Sequence, residues 1–131
     1  MQGSVNADGL SEFELENGIG PIKARLELGA IDDALVETGR THYTVKCVAC
    51  HKMDERYVGP ALRDVTQRRT PAFVMNMILN PEENYQRHPE GKKMLAEYLT
   101  YMANQNVKQE EARAILEYLR FEATQPPAES G

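Results

Sequence analysis

Apolar residues recur at helical spacing in four stretches of the chain. In Asp32–Lys46, Val36, Gly39 and Tyr43 fall at i, i+3 and i+7, and Cys47 continues the row at i+11. Asp32 stands where a capping residue is needed, and Asp33 and Glu37 suit the positive N-terminal end of a helix. Gly39 costs a helix interior up to about 1 kcal/mol relative to Ala, so its place in the row predicts another element passing close by. In the second stretch Thr70 is the N-cap, Pro71 takes the first position, and Phe73/Met77 and Val74/Ile78 form i, i+4 pairs before Pro81. A third helix is predicted from near Pro89, with Met94, Leu95, Tyr98 and Leu99 as its stripe. The fourth runs from Lys108 to Ala123 with Ala112, Ile115, Leu116 and Leu119 on one face. Asn106 and Gln109 are the expected capping pair for it.

Between these stretches the pattern is weaker. Residues 20–29, with Pro21 near the start and Gly29 at the end, predict a short helix carrying Ile22 and Leu26 on one face. Residues 1–20 read as a mobile tail. Residues 56–69 lack a period and contain Gly59-Pro60, and residues 101–106 hold two Asn, so both read as loops. No strand pattern and no repeat appears. The fold class is all-α, organised as an acidic extension with a short helix (1–31), a helical domain (32–121) and a disordered tail (122–131).

With 131 residues, no Trp and three Phe, the chain builds one small domain with a limited core, in which a bound group would be a natural stabiliser. The net charge of −5 argues against nucleic acid as a partner. No apolar run reaches 18 residues, so no transmembrane helix is expected. The polar N-terminus lacks the apolar core of a signal peptide, and Met1 reads as a replacement start with the natural leader removed. Charge is unevenly spread. Residues 1–39 carry eight acidic and two basic residues, and residues 40–93 carry six and ten. The basic middle is either solvated surface or a docking patch for an acidic partner.

That middle holds KCVACHKM, Lys46–Met53, with both cysteines and one of three histidines. Cys47-Val48-Ala49-Cys50-His51 has the C-x-x-C-H spacing of covalent haem attachment. Two thiols three residues apart reach the two vinyl groups on one porphyrin edge, and the next residue brings an imidazole Nε2 under the iron. The competing readings lack support elsewhere in the chain. A structural zinc site needs four ligands, and only His42, His88 and carboxylates remain. A thioredoxin-like dithiol needs a βαβ setting and a helix N-terminus. A disulfide across three residues closes too small a loop to stabilise much.

On these residues the chain resembles the class I monohaem cytochrome c family over about residues 32–121. Gly39, Tyr43 and Cys47 match its N-terminal helix, Leu116-Glu117-Tyr118-Leu119 its C-terminal partner, and Gly59-Pro60-Ala61-Leu62 with the later Arg68 its loop. The resemblance implies four to six helices around one covalently bound haem c and its iron. It implies that Pro60 accepts a hydrogen bond from His51 Nδ1–H, and that Arg68 pairs with a propionate, with Arg69 as rival. It also implies a Met opposite His51 in a loop shortly before the last helix. Met102 is the expected ligand and Met94 the alternative. Met53 is too close to His51 to cross the ring, and Met75 and Met77 read as core. His42 and His88 read as exposed.

The implied function is electron transfer, without enzymatic activity, by a monomer in the periplasm or anchored to the outer face of the cytoplasmic membrane. The implied partners are a quinol-oxidising complex and a terminal haem-copper oxidase. Lys46, Lys52, Arg56, Lys92 and Lys93 would steer docking near the haem edge. The alternative readings are a cytochrome domain of a larger membrane oxidase or reductase subunit, and a haem sensor.

Overall fold

A computed structural model describes residues 9–127. Among these the chain is all-helical, with seven helical segments: α1 (Glu12–Asn17), α2 (Asp33–Lys46), α3 (Val65–Arg68), α4 (Pro71–Leu79), α5 (Pro81–Arg87), α6 (Pro89–Tyr98) and α7 (Gln109–Glu122). None is long and apolar enough to cross a membrane. The four periodic stretches are α2, α4, α6 and α7. Asp32 caps α2 through the Leu35 N–H (3.1 Å), and Thr70 caps α4 through the Phe73 N–H (3.0 Å).

The central contact is α2 against α7. Val36 and Tyr43 meet Ile115, Leu116 and Leu119, with Val74 and Ile78 of α4 closing the core. The row of α2 is interrupted by Gly39 because the Ala114 carbonyl of α7 occupies the space a Cβ would need. Four residues along, the Tyr43 and Tyr118 rings pack at 5.1 Å.

One buried ion cluster locks this crossing. Glu117, 1% exposed, accepts from the Asp32 N–H at 2.8 Å, Arg113 at 2.9 Å and Arg120 at 2.8 Å. Burial alone would raise its pKa, but the Asp32 N–H and the two guanidiniums outweigh burial and hold it below the usual carboxylate value. Because the folded value is depressed, this stabilisation is complete above the unfolded carboxylate pKa of about 4.3 and is lost as pH falls through the folded value. Acid below about pH 4 is therefore expected to lower the melting temperature. Glu117→Gln, which leaves two arginines without their anion, is expected to cost about 3 kcal/mol and to flatten that acid dependence. Thermal melts of both proteins from neutral to acidic pH check this.

The extension departs from the sequence reading. Residues 20–29 are not helical. The helix is α1, closed by a capping box in which Ser11 Oγ accepts from the Glu14 N–H (3.1 Å) and Glu14 accepts from the Ser11 N–H (3.0 Å). It ends at Gly18, at φ +78°. The backbone beyond is drawn out because side-chain amides take its polar groups. Asn76 bonds both the N–H and the carbonyl of Ile22 (3.0 and 3.1 Å), and Asn84 bonds those of Ile19 (3.0 and 2.9 Å). Residues 9–20 are accordingly no mobile tail: Leu10, Asn17 and Ile19 are buried against the body. The rest of that expected tail, residues 1–8, and residues 128–131 of the expected C-terminal tail lie outside the described residues.

His88 is also corrected from exposed to buried, at 1%. Its Nδ1 accepts from the Glu90 N–H, so Nε2 carries the proton and donates to the Glu14 and Leu15 carbonyls, all at 3.0 Å. The capping pair of α7 is likewise different. Glu111 takes the Lys108 N–H at 2.8 Å, while Asn106 is turned away at φ +54° with its N–H on Asn104 Oδ1.

Candidate functional site

A cavity of about 320 Å³, a size ordinary for cofactor sites, opens beside the core. One wall comes from the end of α2 and the residues after it. Cys47 is the C-cap of α2, its N–H bonded to the Tyr43 carbonyl at 2.8 Å, and the Cys50 and His51 N–H groups turn back onto the Cys47 carbonyl (3.1 and 3.0 Å). This tight turn places Cys47, Cys50 and His51 together on the cavity. The end of α6 and the loop before α7 also line it, with Met94, Tyr98 and Met102.

The His51 ring is fixed from two sides. Nδ1 lies 3.0 Å from the Pro60 carbonyl, which makes Nδ1 the protonated nitrogen and leaves the Nε2 lone pair to give. Gly59 lies against the ring face, where a Cβ would crowd Cε1 and Nδ1. Burial lowers the imidazole pKa, with the Pro60 hydrogen bond opposing in part, so the ring is held neutral, as a metal ligand must be. Burial, with the Cys50 thiol beside it, pushes the Cys47 thiol up to about 11. A redox dithiol needs a depressed thiol pKa, so that reading fails on the electrostatics as well as on the fold.

Every expected site residue borders this cavity: Cys47, Cys50, His51, Pro60, Arg68 and Met102. Arg68 and Arg69 both reach it. Arg68 bonds Asp64 at 3.0 Å and the Ala61 carbonyl at 2.8 Å. Arg69 pairs with Glu90 at 3.0 Å and lies over the Phe73 ring. Met53 packs on the core and does not border the cavity, and Met75 is buried. Met77, read as core, lines the cavity. His42 lies 3.8 Å from Glu111, and neither it nor His88 borders the cavity. One residue the sequence did not mark is Tyr85 of α5. It borders the cavity, and its hydroxyl accepts the Met102 N–H at 2.7 Å.

The residues present fit a haem c. They bring two cysteines, an imidazole with its Nε2 lone pair left to give, the Met102 thioether and the Arg68 guanidinium to the lining of one largely apolar cavity.

Comparison with known proteins agrees. Residues 36–121 match the family described as Cytochrome c. A solved structure, a cytochrome c from Rhodothermus marinus, is 50% identical with a TM-score of 0.79, covering 84% of this chain and 95% of that one. An engineered form of the Rhodothermus marinus cytochrome, Rma TDE, is 48% identical with a TM-score of 0.80, covering 86% of this chain and 97% of its own. The same engineered form bound to a carbene intermediate matches at 48% identity and TM-score 0.78, with the same coverage. No curated protein matches.

Proposed function

We propose that this chain, which belongs to the cytochrome c family, takes single electrons from a quinol-oxidising complex and passes them to a haem-copper oxidase. The covalently attached haem c of the family supplies a reversible one-electron centre. In this reading Cys47 and Cys50 would anchor it, His51 Nε2 and the Met102 thioether would hold the iron, and Arg68 would pair with a propionate. The single observation that carries the reading is that one cavity is lined by both expected ligands. His51, held by Pro60 at 3.0 Å, borders the same cavity as Met102, whose N–H is bonded to the Tyr85 hydroxyl. With both His51 and Met102 given to the iron, the chain's own residues would occupy the positions a substrate would need, which favours transfer over catalysis. The protein works as a monomer in the periplasm or against the outer face of the cytoplasmic membrane.

The docking face is supported by what surrounds Cys47–Cys50. Val48 and Tyr57 are exposed there, and Leu99 (84%) and Tyr101 (67%) stand out on the Met102 loop. Lys52 covers Tyr57, and Arg56 lies 4.1 Å above the Tyr98 ring centre while bonding the Glu97 carbonyl. An apolar centre with a basic rim suits a small, transient redox encounter. Mixing the reduced protein with a haem-copper oxidase in a stopped-flow instrument tests the role directly: absence of oxidation overturns it. Raising salt from about 50 to about 200 mM is expected to slow the second-order rate by roughly threefold to tenfold, as steering is screened. A rate indifferent to salt removes the basic rim from the encounter.

A further inference from the structure

The loop carrying Met102 is weakly held by its own backbone. Among the described residues, no backbone group of residues 100–107 bonds to another backbone group. Leu99 and Asn106 bracket the loop at φ +55° and +54°, the only positive-φ residues other than glycine among those described. The left-handed region disfavours a side chain such as that of Leu99, so the loop keeps its shape because other groups impose it. At Met102 itself the imposing group is the Tyr85 hydroxyl, 2.7 Å from the Met102 nitrogen. Tyr85 is 8% exposed, and its ring meets that of Tyr101 edge-on at 5.4 Å. Lys46 Nζ adds a second tie further on, at the Gln105 carbonyl (2.9 Å).

Tyr85 is in turn placed by its neighbours on α5. The buried Asn84 grips the extension by both polar groups of Ile19, and it also bonds the Asn80 carbonyl at 2.8 Å. Asn80, the residue before α5, donates to the same Ile19 carbonyl at 3.1 Å. On the other side, Gly91 of α6 lets that helix press onto the Asn84 carbonyl. The short, polar α5 thus takes its position from the extension on one side and α6 on the other.

We propose that Tyr85 is a positioning residue for the axial thioether of Met102, and that the grip of Asn84 on Ile19 makes the N-terminal extension part of the same device. The extension then serves to keep the sixth ligand on the iron, at a distance, through α5. This rests on Met102 being that ligand.

The test uses the full, haem-loaded chain with Tyr85→Phe, Asn84→Ala, the double variant and Met102→Ala. Imidazole affinity of the oxidised protein, followed by its spectrum, reads how easily the thioether is displaced. Amide exchange of Met102 in the reduced protein reads the tether itself. Tyr85→Phe is expected to bind imidazole about fivefold more tightly, the equivalent of one lost hydrogen bond of about 1 kcal/mol, and to exchange the Met102 amide about tenfold faster. Asn84→Ala shifts both in the same direction, and the double variant goes little beyond Tyr85→Phe, since both act through one contact. If Asn84→Ala does not fold, Asn80→Ala, which removes the second side-chain amide bonded to the Ile19 carbonyl, replaces it. Wild-type affinity and exchange in Tyr85→Phe, with tight imidazole binding in Met102→Ala, overturns the proposal while leaving the ligand assignment standing. Full additivity of the two variants overturns the part played by the extension. Unchanged imidazole affinity in Met102→Ala overturns the ligand assignment itself.

Discussion

Met102→Ala is expected to lower the reduction potential by more than about 100 mV, a fraction of the ~0.8 V that axial ligands command, and to abolish the weak red-region band of thioether-ligated ferric haem. The thioether is a soft, neutral donor that favours the reduced iron, which is why His/Met ligation sits high on the potential scale. Its removal leaves water or a stray nitrogen base as the replacement, and each favours the oxidised state. The fold should survive, because Met102 is only half-buried on a loop and the α2–α7 core does not depend on it. Met94→Leu is the informative control. Met94 borders the same cavity but sits within α6, where a branched aliphatic of similar volume substitutes at low cost. Spectra and potentiometric titrations of both variants decide between them. A wild-type spectrum in Met102→Ala with a lost band in Met94→Leu would transfer the role to Met94.

Much of the site was legible in the sequence because its parts are local. Cys47, Cys50 and His51 are fixed by one turn of backbone, while the approach of Pro60 to His51 was legible only through the family resemblance of Gly59-Pro60-Ala61-Leu62. The periodic faces of α2 and α7 carried the core, and even the misplaced-looking Gly39 pointed to its partner helix. What escaped was set by side chains distant in sequence. α5 has a single apolar residue in PEENYQR, so periodicity is silent there, and Tyr85 gains its meaning only from a loop 17 residues away. Residues 20–29 hold good helix formers, yet Asn76 and Asn84 reach across more than 50 positions to draw the neighbouring backbone straight. His88 read as polar surface because nothing local reveals that α1 would cover it. Only α1 had a local signal, the Ser11-x-x-Glu14 capping box, and the acidic composition around it concealed a docked segment.

The second large effect is expected at Gly39. An alanine there would gain up to about 1 kcal/mol in helix propensity, yet the protein is expected to lose at least about 3 kcal/mol net, the upper range for overpacking. The reason is what the methyl would strike. Its nearest neighbours are the Ala114 carbonyl oxygen and carbon and the Ile115 nitrogen, all main chain in the middle of α7, with no flexible side chain to turn aside. Relief comes only by moving α7 away from α2, which loosens Tyr43 against Tyr118 and the Glu117 cluster together. Against a typical domain stability of about 5–15 kcal/mol this is a large share, and a melting point lower by about 10 °C or more follows. The damage should extend to the site, since α2 delivers Cys47 at its C-terminus. A tilt of α2 moves that anchor relative to the rest of the cavity lining, so the yield of haem-loaded protein should fall too. Gly29→Ala is the matched control, with no atom within 4 Å of its Cβ, and its melting point should stay within a few degrees of wild type. If Gly39→Ala melts as Gly29→Ala does, the two helices do not approach as closely as their register requires, and the glycine in the row must be explained otherwise.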